Sequence, residues 1–308
     1  MKAFYCHHFV LPLPANHRFP MAKYRRLYER VAADAGRLGI ELVEPAAASD
    51  EELARAHCPD YIQRMSAGEA VEADMRRVGF PWSTQTIERS RRSVGATMGA
   101  LRAALEGDGV AVNLAGGTHH AAHARGGGYC IFNDTVVAAR HVQHLGLARR
   151  LLVVDLDVHQ GDGTAAICAG DDSIFTFSIH AARNYPAVKP PSDLDVALPD
   201  GTGDDEYLEA LARHLPLAID RARPDAVLYL AGADPYAGDR LGFLALSKPG
   251  LAERDRFLFE RCRRHGLPLS VSMAGGYANE VEDIVDIHYA TIVLASRHAQ
   301  TVAAAVGA

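Results

Sequence analysis

Short apolar runs alternate along the chain with longer segments of helical period. The runs AVNL (111–114), LLVVDLDV (151–158), SIFTFSI (173–179), AVLYL (226–230) and LSVSM (269–273) are rich in strand-forming residues and almost continuously apolar. A strand covered on one face alternates apolar and polar positions, whereas a continuous run is covered on both. Helical spacing occupies Met21 to Gly39, a long stretch from a Ser83 N-cap to about Leu105, and segments near 135–145, 205–222, 249–265 and 281–300. The alternation predicts an α/β fold of three layers, with helices on both faces of a mostly parallel central sheet.

Polar and glycine-rich residues come directly after these runs. GGTHH (116–120) succeeds the first, DLDVHQGDG (155–163) ends the second, and Ser178 and His180 end the third. GAD (232–234) succeeds the fourth and GGY (275–277) the fifth. Ligands of open α/β sheets bind beyond the carboxyl ends of the strands, so the five segments are expected to converge on one site there.

Within DLDVH, alternate residues of a strand end share a face, so Asp157 and His159 can reach one ion together, and Asp234 can supply a third ligand. Three protein ligands leave a coordination position for water, as catalysis requires. A lone Asp-x-His is a weak signal; the convergence of five segments gives it weight. Asp155 lies on the same face and either orients a histidine or, with Ser178, helps hold a monovalent cation. His119 and His120 sit in a glycine loop that no helix or strand pattern explains. They form either a proton-transfer pair, with Asp155 and Asp162 as orienting carboxylates, or a pair of hydrogen-bonded loop residues. Tyr277, after Gly275-Gly276, is either an oxyanion donor or a core tyrosine behind a turn. The segment Gly126 to Cys130, with Gly128 and Tyr129, reads as a narrow tunnel wall or as a mobile loop.

With 308 residues, 48% of them hydrophobic, and no linker, charge block or repeat, one catalytic domain over 1–308 is expected. The net charge of -6 argues against a protein that holds nucleic acid by charge. Arg76-Arg77 and Arg89, Arg91 and Arg92 read as solvated helix faces. Five cysteines, an odd number without a CxxC pair, fit reduced thiols and a cytoplasmic protein. No leader and no membrane span are expected.

The segments GGTHHA, GGGYCIFND, VDLDVHQGDG, FSIH, AGADPYAGDRLG and AGGY, in this order, resemble the histone deacetylase superfamily, with weaker support from HRFPMAKY (17–24) and AHCPDY (56–61). ARNYP, DGTGDDEYL and GDRLGFLALSKPGLAERD resemble the class IV branch and its bacterial relatives. The resemblance implies an arginase/deacetylase fold and hydrolysis of acyl-lysine in a peptide or protein, or of a small acylated amine such as an acetylpolyamine. It implies zinc, with iron(II) or another divalent ion as alternatives, on Asp157, His159 and Asp234. It also implies His119 and His120 as the acid/base pair, Asp155 and Asp162 as their partners, and Tyr277 as oxyanion donor. A structural potassium ion at Asp155 and Ser178, a tunnel lined by Gly128, Tyr129 and Leu241, and an exit channel at Arg18 are further implications. Two departures concern substrate grip. GFPWS (79–83) lacks the rim aspartate that holds peptide backbone, and AARNYPAVKPPSDLD shows no second tunnel aromatic at an obvious position. The rival expectations are a binuclear ureohydrolase of the related fold and a catalytically silent acyl-lysine binding module.

Overall fold

Eight strands form one sheet in the order β2-β1-β3-β8-β7-β4-β5-β6, and every neighbouring pair is parallel. The computed structural model describes residues 1–11, 13–14, 17–69 and 71–306. The strands are β1 (Lys2–Phe4), β2 (Glu41–Val43), β3 (Val110–Asn113), β4 (Leu151–Asp155), β5 (Ile174–Ala181), β6 (Leu194–Leu198), β7 (Ala226–Leu230) and β8 (Leu269–Ser272). The α-helices are α1 (Ala22–Leu38), α2 (Asp50–Leu53), α3 (Pro59–Ala67), α4 (Glu72–Val78), α5 (Thr84–Ala103), α6 (Asp134–His144), α7 (Asp162–Cys168), α8 (Asp204–Ala222), α9 (Lys248–Arg264) and α10 (Val281–Val306), and a π-helical turn, Ala104–Asp108, follows α5. No helix among the described residues is long and apolar enough to cross a membrane, and all five cysteines are free thiols.

The continuous apolar strands are explained by the two cores they separate. In β4, Leu152 and Val154 join the core beneath α1, α8, α9 and α10, while Leu151 and Val153 join the core beneath α3, α5 and α6. In β7, Val227 and Tyr229 face the first core, and Ala226, Leu228 and Leu230 face the second. Because successive side chains point to opposite faces, both sets must be apolar. At the margin, β6 alternates half-buried and exposed residues, and β1 and β2 span three residues each. These strands lack the continuous apolar signal.

Two expectations about local structure are corrected. The run 151–158 stops being a strand at Asp155, since side chains capture the next amides: Asp157 N donates to Asp155 Oδ1 (3.2 Å), Val158 N to Asp234 Oδ1 (2.9 Å) and His159 N to Asp157 Oδ1 (2.9 Å). The Arg89 to Arg92 cluster is not a solvated face. Arg89 is buried and donates to the carbonyls of Cys6 and Phe9, while Arg91 and Arg92 reach those of Ala48 and Pro45. These arginines satisfy irregular backbone that packs on α5, an obligation that a helix pattern does not reveal. The Ser83 cap does form, with its hydroxyl accepting from Thr86 N at 3.0 Å.

Candidate active site

The loops that leave β3, β4, β7 and β8 meet at the carboxyl edge of the sheet, around a cavity of about 450 Å³. The loop after β3 carries His119 and His120 and is shaped by a buried carboxylate at the start of α6. Asp134 accepts from Gly117 N at 2.9 Å, Thr118 N at 2.7 Å and Thr97 Oγ1 at 2.6 Å. Asn133 caps α6 by accepting from Val136 N, and its amide donates to Ala121 O at 3.0 Å. The IFND segment therefore fixes the path of the histidine loop from below.

Each histidine is then locked by a carboxylate. His119 Nδ1 lies 2.6 Å from Asp155 Oδ2, and His120 Nδ1 lies 2.6 Å from Asp162 Oδ1. The rings are 4.1 Å apart between centroids and both are buried. Their proton affinities diverge. Burial pulls His119 down, but the charges of Asp155 and Asp157 outweigh it and raise the imidazole to about 9. Burial, reinforced by the neighbouring His119, lowers His120 to about 4. Two adjacent histidines pushed in opposite directions provide one protonated and one neutral imidazole at neutral pH.

Asp157, His159 and Asp234 present ligand atoms that all lie within 4.8 Å of one another. His159 Nδ1 is 3.0 Å from Asp157 Oδ1 and 3.3 Å from Asp234 Oδ2. Donors held ~2.0–2.2 Å from one ion stand at about this mutual distance. Asp157 Oδ2 accepts from Gly275 N at 2.8 Å, whereas the buried Asp234 Oδ2 has no hydrogen-bond partner. Burial pushes Asp157 up, yet the charges of His119 and His159 hold it well below the usual carboxylate range; burial and the charge of Asp157 drive Asp234 up to about 7. A partnerless carboxylate oxygen beside a second carboxylate and an imidazole calls for a cation, so the donor set fits a divalent ion. Gly275 is required here. A Cβ at that position would sit 1.9 Å from Asp234 Oδ2 and 2.5 Å from Asp157 Oδ2, filling the space between the carboxylates.

Asp155 and Ser178 are register partners across β4 and β5 and border a small cavity of about 10 Å³, with Ser178 Oγ 2.9 Å from His180 Nδ1. Tyr277 is buried at the cavity, its ring 6.4 Å from that of His159 and its phenol pushed well up by burial and by the charges of Asp234 and Asp157. Tyr129, held at φ 67°, and Leu241 line the cavity with Gly128. Arg18 does not match its expected place in an interior channel, because its side chain is exposed.

Several lining or supporting residues were not apparent from the sequence. Tyr185 stands edge-on to His120 with ring centroids 4.8 Å apart, and so supplies the second aromatic wall whose position ARNYP left open. Asn184 ties that segment to the opposite wall, donating to Leu241 O at 2.6 Å and accepting from Phe243 N at 2.9 Å. Asp239, within AGADPYAGDRLG, accepts from Tyr277 N at 2.5 Å and Leu241 N at 2.8 Å. The buried cation near Tyr277 is Lys23, which donates to Ala274 O at 3.4 Å and Gly276 O at 3.2 Å. Its signal was available: Lys23 continues the buried stripe Leu27, Val31 of α1, a charged residue at an apolar position.

Known proteins resemble this chain in sequence and in fold. The profile described as histone deacetylase domain matches residues 17–292. An uncharacterized protein of Picosynechococcus is 43% identical over 280 residues, covering 91% of this chain and 93% of that one. Histone deacetylase 2 of Arabidopsis thaliana is 31% identical over 272 residues, covering 85% of this chain and 70% of that one. The crystal structure of the HDA15 HD domain superposes with a TM-score of 0.81 at 21% identity, covering 96% of this chain and 88% of that one, a likeness of fold.

Proposed function

The chain belongs to the histone deacetylase family, and on that basis we propose that it is a metal-dependent deacylase hydrolysing an N-acyl amide, with acyl-lysine as the substrate class. The observation that carries this reading is the partnerless, buried Asp234 Oδ2 within the Asp157, His159, Asp234 set, placed beside two buried histidines that are each locked by a carboxylate. Zinc is the proposed ion, with iron(II) or another divalent ion able to use the same donors. When bound, it would supply Lewis acidity, polarising the amide carbonyl and favouring water as a nucleophile near neutral pH. Potassium is proposed at Asp155 and Ser178.

The chain's own groups perform the remaining steps. His120, neutral and with Nδ1 committed to Asp162, has Nε2 free to take a proton from the attacking water and return it to the departing amine. His119, gripped at Nδ1 by Asp155, stands beside the same reacting end and offsets negative charge as the tetrahedral intermediate develops. Tyr277, whose burial keeps the phenol protonated, donates to the oxyanion. Tyr129, Tyr185 and Leu241 enclose the acyl-bearing stem and limit water to the reacting end.

The test is kcat/KM of zinc-loaded enzyme on one lysine peptide carrying acetyl or myristoyl, beside an acetylated polyamine. Turnover on a peptide, with Tyr277→Phe lowering kcat by ~10²–10³, is the expected result. A preference for the polyamine would reassign the substrate to small amines, near-normal turnover in Tyr277→Phe would remove the phenol from the mechanism, and no turnover on any substrate would overturn the deacylase reading.

A further inference from the structure

Among the described residues, the largest fully buried side chain is not apolar but Arg254, on α9. A guanidinium enters a protein interior only when paired and hydrogen-bonded. Its charge partner is the adjacent Asp255, whose Oδ1 accepts from Arg254 Nε at 2.8 Å. Asp255 is held in turn by the Tyr229 hydroxyl of β7 and by Thr291 Oγ1 of α10 at 2.5 Å. With one edge anchored, the other end of the guanidinium points at the sheet: Nη1 donates to Gly232 O at 2.7 Å and to Leu156 O at 3.2 Å.

The importance of those two carbonyls lies in their closeness to the proposed ligands. Leu156 immediately precedes Asp157, and Gly232 lies two residues before Asp234. Both are beyond the ends of β4 and β7, where the last backbone bond between the segments is Leu156 N to Leu230 O at 3.1 Å and the next tie is made by a side chain, Val158 N donating to Asp234 Oδ1 at 2.9 Å. The segments are closely apposed there, for a Cβ on Gly232 would come within 2.8 Å of Asp157 Cα. A single nitrogen thus bridges the two backbone segments that carry the carboxylates of the cation site. We infer that Arg254 is a positioning residue: by joining the Leu156 and Gly232 carbonyls, it sets the separation at which Asp157 and Asp234 hold a divalent ion. The inference rests on the reading of Asp157, His159 and Asp234 as the ion's ligands. Lysine cannot replace this role, because one ammonium nitrogen cannot stand both at the Nε position beside Asp255 and at the Nη1 position between the two carbonyls.

The test is cobalt(II) titration of the full chain, with the visible absorption band as the reading of coordination geometry and chelator competition as the reading of Kd. Two variants are compared with wild type: Arg254→Lys, which keeps the charge beside Asp255, and Arg254→Met with Asp255→Leu, which removes the pair at similar volume. Circular dichroism and ion-free melting verify that each is folded. Loss of an outer partner of a metal site costs ~10–100-fold in affinity, so both folded variants are expected to bind cobalt(II) at least about tenfold more weakly, with an altered band. An unchanged Kd and band in folded Arg254→Lys would overturn the inference even if the double variant fails to fold. Wild type that binds no cobalt(II) would instead refute the ligand assignment itself, so the two failures are distinguishable.

Discussion

Gly128→Ala probes the site without touching a charged group. Gly128 sits at φ 50°, and a Cβ there would lie 2.4 Å from His120 Cδ2, 2.9 Å from Cγ and 3.2 Å from Nε2. Ordinary contact begins at 3.4 Å, so the ring must retreat by about 1 Å or the loop must open. Asp162 grips the ring at Nδ1, and Tyr185 closes one side, so the displacement comes out of catalytic alignment. A misplacement of this size costs on the order of 10²-fold in rate, and left-handed backbone adds ~1–2 kcal/mol of strain for a residue with a Cβ. Because His120 is not among the ion's proposed ligands, zinc affinity should be preserved. The assay is kcat and KM of zinc-loaded Gly128→Ala on an acetyl-lysine peptide, with ion-free melting as a control. The expected result is a hundredfold-lower kcat with a few degrees' loss in Tm. A kcat near wild type in the folded variant would refute the argument that His120 is held without freedom to move.

Three other perturbations test the same geometry. Gly275→Ala should weaken zinc binding by at least ~10–100-fold, measured by chelator competition, because its Cβ would occupy the space between Asp157 and Asp234. Asn184→Ala should raise KM while sparing kcat, since it frees the wall segments at Leu241 and Phe243; the unsatisfied carbonyl and amide should also cost ~1–3 kcal/mol in denaturant unfolding. His57 is buried with Nδ1 3.0 Å from Ala122 O and Nε2 accepting from Asn133 N, and burial lowers it from 6.5 to about 4. Below 6.5 the unfolded chain takes this proton before the folded one, so stability present at neutral pH is lost as pH falls from 6.5 towards 4 and levels off beneath. The loss is ~3 kcal/mol, and the stability gap between wild type and His57→Gln should narrow over that interval.

The parts of the fold that could be read from the chain obey local rules. The five central strands were legible because they are buried and rich in strand-forming residues, β4 and β7 being apolar on both faces, and the site was legible because its polar groups stand directly after those strands. β1, β2 and β6 were not, being short or half-exposed. The premature end of β4 at Asp155 depends on carboxylates arriving from its own loop and from beyond β7, and only the latter is a long-range contact. Lys23 was marked by its position on an apolar stripe, while Arg254 and Asn184 act through carbonyls and amides of distant segments that no spacing rule connects. The burial of Arg89 is hidden for the same reason: a cluster of arginines on a helix carries no local sign that irregular backbone will fold over it.

The central claim is hydrolysis that depends on one ion at Asp157, His159 and Asp234. Its most direct measurement is acetate release from an acetyl-lysine peptide by chelator-stripped protein as zinc is added back. Activity that returns in full at one equivalent per chain, and does not return in Asp234→Asn, is the predicted result. Activity that survives stripping, needs two equivalents, or returns unchanged in Asp234→Asn would contradict it.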